Sequence, residues 1–449
     1  MNLVVHGEGK VAPTAVEELG RRMVHPLCGL SSRVGFLLRG RPEPRFAVAG
    51  GQLSGVHRLL GQVEAGSYHI GGVGLTRHEA LVRTLGESAE RYCQLVSVAS
   101  GLVPVHTATV GELFRDDVEV VDPSALAFYS EDQYADPDFL FRVSDAAAPY
   151  GWVEMRRVPD GRPVQVPAQL ALVGYLPHRH PDEPWLAPAM TTGTATQTTA
   201  TAARRGALLE LIQVDTAMGH WFGPAAAPRI TVGSRLAPLR RLTETWMGRS
   251  ATPAFHYLPS PDLPAHSVAC VLRQGGGRRP VVAVGLGGET RLVEACYKAL
   301  LEAVGVLQLA KTGMANAARD GEWSGARSDE TRFFDLDANV VHYGDGGGAE
   351  VLAEKFPADL TVPDGELPAD FAGDASTVVD WLQEVIVRQG LGLFELDLTL
   401  PDIADLGLVT MRVWSPDLLA LALPSAPPRR HPRFTAHGGP TNERPHPYP

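Results

Sequence analysis

The sequence predicts a mixed α/β protein, and two observations carry that prediction. Three helical segments share one internal register, and strand-like runs lead into two of them. The first segment runs from Arg77 to about Val96, the second from about Ala200 to Trp221, and the third from about Leu292 to Leu309. Each has apolar residues at helical spacing and is rich in Ala, Leu, Glu and Arg, which favour helix. Aligned on Glu87, Glu210 and Glu302, they place an alanine seven residues earlier (Ala80, Ala203, Ala295) and a leucine two residues earlier (Leu85, Leu208, Leu300). A small, flexible run precedes each helix: Gly71-Gly72-Val73-Gly74, Thr191-Thr192-Gly193-Thr194 and Gly285-Leu286-Gly287-Gly288. Strands are expected at 168–175 and 279–286. Strand, glycine turn and helix make a βα unit, used three times.

Composition narrows the function classes. The 449 residues carry a net charge of −11, with 44% hydrophobic and 20% charged residues, and mean hydropathy is −0.04. That is the balance of a globular chain with ample core. The acidic surplus argues against a general nucleic-acid or anionic-membrane binder. Cys28, Cys93, Cys270 and Cys296 are scattered without CxxC spacing. They offer neither a disulfide framework nor a thiolate zinc site and fit a reducing cytoplasm. Residues 1–24 form a lead-in with no apolar stretch of the signal-peptide kind, and no run nears the ~18–20 apolar residues of a spanning helix.

Residues 316–376 hold GDGGG, VPDG and many acidic side chains with weak periodicity, so an exposed insertion is expected there. A helix near Thr377–Gln389 and strands near Phe394–Thr399 and Leu408–Val413 follow. From residue 424 to residue 449 the chain is a proline-rich tail ending Pro445-His446-Pro447-Tyr448-Pro449. Proline lacks an N–H donor and stiffens the chain, so the tail is expected to be extended, neither helix nor central strand.

The helix carboxylates carry the chemistry. Glu87 and Glu90 lie three apart on one helix face with Arg91 beside them, and Glu210 and Gln213 repeat the spacing, with Asp215 two further on. Glu302 takes the equivalent place on the third helix. Acidic or amide oxygens from three converging helices suit Mg²⁺, a hard cation that shares its oxygen ligands with phosphates. The glycine-rich leads, Gly72 and Gly74 among them, would bring backbone N–H groups toward phosphate oxygens. Arg83 and Lys298, each four residues before its glutamate, could neutralise a polyphosphate or pair along the helix with Glu87 and Glu302. Weaker features read as structural: His178-Arg179-His180 as a surface loop, His220-Trp221 as packing at a helix end, and the GGGRRP run at 275–280 as a hairpin turn.

Four segments resemble the signatures of the YcaO-domain family. GLTRHEALVRTLGESAERY (74–92) is similar to the first, TTGTATQ with RRGALLELIQVD to the second, ACYKALLEA to the third, and residues 399–419 to the closing strand segment. The resemblance spans about residues 25–449, with a YcaO domain over 25–423, and PHPYP resembles the PxPxP end of the azoline-forming branch. It implies a YcaO-like fold around one nucleotide site, and ATP·Mg²⁺-dependent cyclodehydration of Cys, Ser or Thr in a ribosomal precursor peptide. It maps Glu87, Glu90, Arg91, Glu210 and Glu302 onto nucleotide and Mg²⁺ positions and places the Pro449 carboxylate near the substrate as a general base or orienter.

Some positions depart from that pattern. Val73 stands where the family has lysine, Gln213-Val214-Asp215 where it has E-R-D, Lys298 for arginine, and Gly305 for glutamine, with Gln308 one turn on. Other amide activations (thioamide, macroamidine) and a non-catalytic scaffold remain alternatives, and the PHPYP end favours the azoline branch. By analogy a separate leader-binding partner, resembling the ubiquitin-activating-enzyme superfamily, and a flavin-dependent azoline oxidase are expected. A homodimer is left open.

Overall fold

In the computed structural model, residues 12–62, 69–177, 180–319, 336–424 and 426–449 are described. The first sheet is a meander of β1 (Ser31–Phe36), β2 (Ala47–Leu53) and β3 (His69–Gly74). The second is entered by β4 (His106–Thr109), β5 (Pro149–Arg157), β6 (Pro163–Pro167) and β7 (Thr194–Gln197). The third holds β8 (Arg229–Thr231), β9 (Ala251–Leu258), β10 (His266–Gln274), β11 (Val282–Glu289) and β12 (Thr361–Pro363), in the order β11-β10-β9-β8-β12. Late in the chain β13 (Phe394–Asp397) and β14 (Val409–Trp414) return to complete the second sheet, β4-β5-β13-β14-β7, with β6 on β5.

Each predicted site helix follows a strand of a different sheet: Arg77–Val96 after β3, Ala200–Phe222 after β7, and Leu292–Arg319 after β11. The side chains of Thr76 and Thr199 cap the first two, accepting from the backbone N–H groups of Glu79 and Ala202. The shared register has a physical origin. Gly71 N–H donates to Glu87 Oε2 at 2.7 Å, Gly193 N–H to Glu210 Oε2 at 3.3 Å, and Leu286 N–H to Glu302 Oε1 at 3.0 Å. Each glutamate thus ties its helix to the preceding strand.

The glycines do different work from that expected. Gly72, Gly74, Gly287 and Gly288 lie within strands rather than in flexible turns. A Cβ on Gly72 would sit 2.4 Å from Ala80 O, and one on Gly287 2.1 Å from Ala295 O. The missing side chains let each helix press onto its strand at the fully buried alanine of the register. At the second unit the roles reverse: a Cβ on helix residue Gly206 would meet the Ala195 Cβ at 3.0 Å.

Three other expectations need correction. No strand occupies the expected 168–175: β6 ends at Pro167, and Ala168–Ala171 is a helical turn. In its described parts the segment 316–376 is not an exposed insertion: the third site helix runs through Arg319, and helices Leu336–Gly344 and Ala349–Lys355 lie further on. They bury Val340, Tyr343, Leu352 and Phe356, while β12 joins the third sheet. Its acidic faces masked that short apolar periodicity; residues 320–335 lie outside the described residues. The tail contains a 3₁₀ turn, Pro432–Thr435, and is packed rather than free, with Arg433, Phe434, His446 and Tyr448 at most 5% exposed. Among the described residues no helix is long and apolar enough to cross a membrane.

Candidate active site

A cavity of about 2240 Å³ opens between the three site helices. Glu87, Glu90, Arg91, Arg83, Gly72, Gln213, Lys298 and Glu302 line it, and so does Pro449. Glu210 is not on that lining but lies close enough to act electrostatically on both Glu90 and Glu302. Gly74 is buried against Glu79 and faces the helix, not the cavity.

The carboxylates sit deep in the body while each keeps some surface. Burial raises Glu210 to about 7 against the opposing pull of Arg412 and of the Gly193 and Thr194 N–H groups. Burial likewise raises Glu302 to about 7, with the Leu286 N–H opposing and Glu210 adding to the rise. Glu90 is pushed well above the ordinary carboxylate range by burial, then by Glu210 and Glu87. Three acids are therefore crowded with too little positive charge to keep all of them ionised.

The basic residues are arranged differently from the sequence expectation. Arg83 pairs with Glu79 at 3.2 Å, Arg91 with Glu87 at 2.9 Å, and Lys298 with Glu289 at 2.7 Å. The helix pairs Arg83–Glu87 and Lys298–Glu302 do not form. Glu289 also binds Arg205 at 2.5 Å, and these two cations hold it near 2 despite burial. Arg412 on β14, not singled out in the sequence, is the buried counter-charge of Glu210 and Glu90. Its Nη1 donates to Thr192 O and Thr194 Oγ1 at 2.5 and 3.1 Å, and burial lowers it to about 10. The only sequence signal was a lone arginine in an apolar strand.

Two of the departures meet in space. Val73 and Gly305 both border the cavity, and a Cβ on Gly305 would stand 3.2 Å from Val73 Cγ2. An apolar contact thus occupies the place where the resemblance expects a lysine and a glutamine.

Asp215 does not face the cavity. It is fully buried and binds the tail: Arg433 Nε reaches both its oxygens at 3.0 Å and Nη2 reaches Oδ2 at 2.8 Å. Arg433 also donates to Asp262 at 2.7 and 2.6 Å. Although burial pushes the Asp215 carboxyl up, His437 and Arg433 hold it below its usual value. The tail then threads beside the second site helix: Trp221 Nε1 donates to Arg444 O at 2.9 Å, and His446 Nε2 lies 2.6 Å from Ala422 O. Tyr448 packs edge-on to Trp221, and Pro449 emerges at the cavity. His220 is structural; burial drops it to about 3 and its ring meets Lys355 O. His180 stacks on Tyr175, while His178 and Arg179 lie outside the described residues.

Among the described residues no three His, Cys, Asp or Glu side chains gather closely enough to hold a metal by themselves. Glu87, Glu90, Glu210 and Glu302 are thus not a single all-protein cage. The donor set still fits Mg²⁺, which commonly takes one or two carboxylates and completes its shell with phosphate oxygens and water. The surplus of buried acid beside Arg83, Arg91, Arg205 and Lys298 fits a cation together with a polyphosphate.

No curated protein matches the chain. A heterocyclase solved in complex with substrate and cofactor superposes with a TM-score of 0.74 at 18% identity, over 99% of this chain and 58% of that one. The chain therefore spans little more than half of that heterocyclase. YcaO from Methanopyrus kandleri, bound with AMPPCP and Mg²⁺, gives 0.61 at 19% identity, over 97% and 96%. A chain of the E. coli microcin synthetase McbBCD complex gives 0.60 at 12%, over 93% and 98%. At these identities the likeness is one of fold. The family described as YcaO cyclodehydratase, ATP- and Mg²⁺-binding, matches residues 71–419, and with most of its length matched the chain belongs to that family.

Proposed function

We propose that the chain is an ATP-dependent peptide cyclodehydratase that forms azoline rings from Cys, Ser or Thr of a precursor peptide, working with a leader-binding partner. The observation that carries this reading is the convergence of buried Glu90, Glu210 and Glu302 beside a cavity that Pro449 also lines. Mg²⁺, when bound, supplies charge neutralisation for phosphoryl transfer. Glu87, Glu90 and Glu302 would hold it from the cavity wall, with Glu210 and Arg412 tuning the charge behind them. Arg91, Arg83, Arg205 and Lys298 would meet the phosphates.

In the reaction the side-chain S–H or O–H gives up its proton as its sulfur or oxygen bonds to the preceding amide carbon, and the amide oxygen receives the γ-phosphoryl group. Loss of the amide proton and departure of phosphate then leave the ring C=N bond, so the peptide loses one water as ATP becomes ADP and phosphate. This chain's part is positioning, charge balance and proton acceptance. The Pro449 carboxylate is suited to the last, held on an arm fixed by Tyr448 and Arg433.

The test mixes chain, partner, precursor and ATP·Mg²⁺. Each ring should cost the peptide one water and release one phosphate, and Glu87→Gln or Glu210→Gln should abolish both. Deleting Tyr448-Pro449 should cut ring formation severely while changing nucleotide affinity little. Tight precursor binding with no mass change, beside a demonstrably active partner, would overturn the enzymatic reading.

A further inference from the structure

A second groove, about 510 Å³, opens beside the main cavity and shares Leu37, Val48 and Leu75 with it. Its floor is apolar and its rim basic. Phe36, Leu37 and Leu38 are consecutive and 37%, 46% and 93% exposed. Arg39, Arg41, Arg45 and Arg77 also line it and are exposed. The Arg77 guanidinium lies over the Phe36 ring, 5.3 Å from its centroid. Among the described residues none of these four arginines has a carboxylate partner. On a chain of net charge −11 this is a local reversal of sign. Scattered surface arginines need no explanation, but four uncompensated ones around three adjoining exposed apolar side chains are a recognition surface.

The neighbouring strand supplies a third element. Past Ser31, β1 pairs only with β2, so among the described residues its outer edge is left unpaired, a template for an extended chain. We infer that this groove docks an acidic, apolar-bearing stretch of the same precursor peptide whose reacting residues enter the cavity. Acidic side chains would meet the arginine rim, apolar ones would cover Phe36 and Leu38, and main-chain groups would pair along β1. The precursor is favoured as occupant because the groove adjoins the cavity, Leu37, Val48 and Leu75 lining both. This inference rests on the proposal that the substrate is a peptide.

The probe is a fluorescein-labelled synthetic 12-residue peptide alternating Glu with Leu and Phe. Controls replace Glu by Lys, or Leu and Phe by Gly. Anisotropy titrations should rank the acidic apolar peptide tightest, with binding that weakens as salt rises from about 50 to about 300 mM. The exposed double reversal Arg41→Glu/Arg45→Glu should weaken it about tenfold or more, and Leu38→Ser several-fold. Both variants should keep wild-type Mg·AMPPCP affinity, which also reports an intact fold. Equal binding of acidic and basic probes, or no change on double reversal, would overturn the inference. Ring formation that fails while arginine-dependent peptide binding persists would sink the cyclodehydratase reading and leave the groove standing.

Discussion

Arg433→Met should loosen the tail by removing the cation that Asp215 and Asp262 share. In the wild type its guanidinium makes five hydrogen bonds of 2.6–3.0 Å to the two carboxylates. Asp215 is 0% exposed and the Asp262 side chain 25%, so the first carries most of the penalty when the arginine goes. Removing one partner of a buried ion pair costs about 3–5 kcal/mol, chiefly because a charge is left stranded. The pH dependence gives a sharper signature. In the wild type the Asp215 pKa is depressed, so its stabilisation is present above the unfolded value and lost as pH falls through the folded one. In the variant burial is opposed only by His437, so the carboxyl rises relative to the wild type and acidification relieves the under-compensated charge. The stability deficit, measured by urea unfolding at several pH values, should therefore shrink as pH falls. Asp215→Asn/Arg433→Met should recover part of the loss, since it strands no charge at Asp215. Hydrogen exchange should show the tail losing protection before the sheets do. A deficit below about 1 kcal/mol, or one that is flat in pH, would refute the assignment of Asp215 as the tail's anchor.

Glu302→Gln should stabilise the nucleotide-free protein at pH 8 by on the order of 1–3 kcal/mol, because a carboxyl raised to about 7 destabilises the fold as pH climbs from the unfolded value through 7; thermal unfolding at pH 5 and 8 checks it, and equal gains at both would contradict it. Binding of Mg·AMPPCP near pH 6.5 should release protons from Glu90, Glu210 and Glu302, seen as a calorimetric enthalpy that varies with the buffer's ionisation heat. Arg412→Met should weaken Mg·nucleotide binding less than it destabilises the fold, since it leaves Glu210 and Glu90 without their buried cation; unfolding and binding measured together decide this. Gly287→Ala should cost several kcal/mol, roughly the upper end of overpacking changes, as its Cβ would meet helix backbone at 2.1 Å that cannot retreat; an unchanged melting temperature would remove the strand–helix contact as the reason for that glycine.

Much of the fold was legible because helical periodicity is a local property. The limits Arg77–Val96 and the start of the helix at Ala200 follow from apolar spacing and threonine caps only a few residues away. The A-x6-E register was visible too, because one contact between a strand and its following helix recurs within about 16 residues of chain. Tertiary structure decided where the charges went. Arg433 meets Asp215 across 218 residues, Arg412 reaches the glutamates from another sheet, and Lys298 turns to Glu289 rather than along its helix. No local pattern specifies such pairs, since burial selects them only after distant segments pack and each charge must find a partner. For the same reason glycines that read as flexible phosphate loops proved to be places where a helix needed room. The tail's composition pointed to an extended chain, and only packing against Trp221 and Tyr343 fixed its path to the cavity.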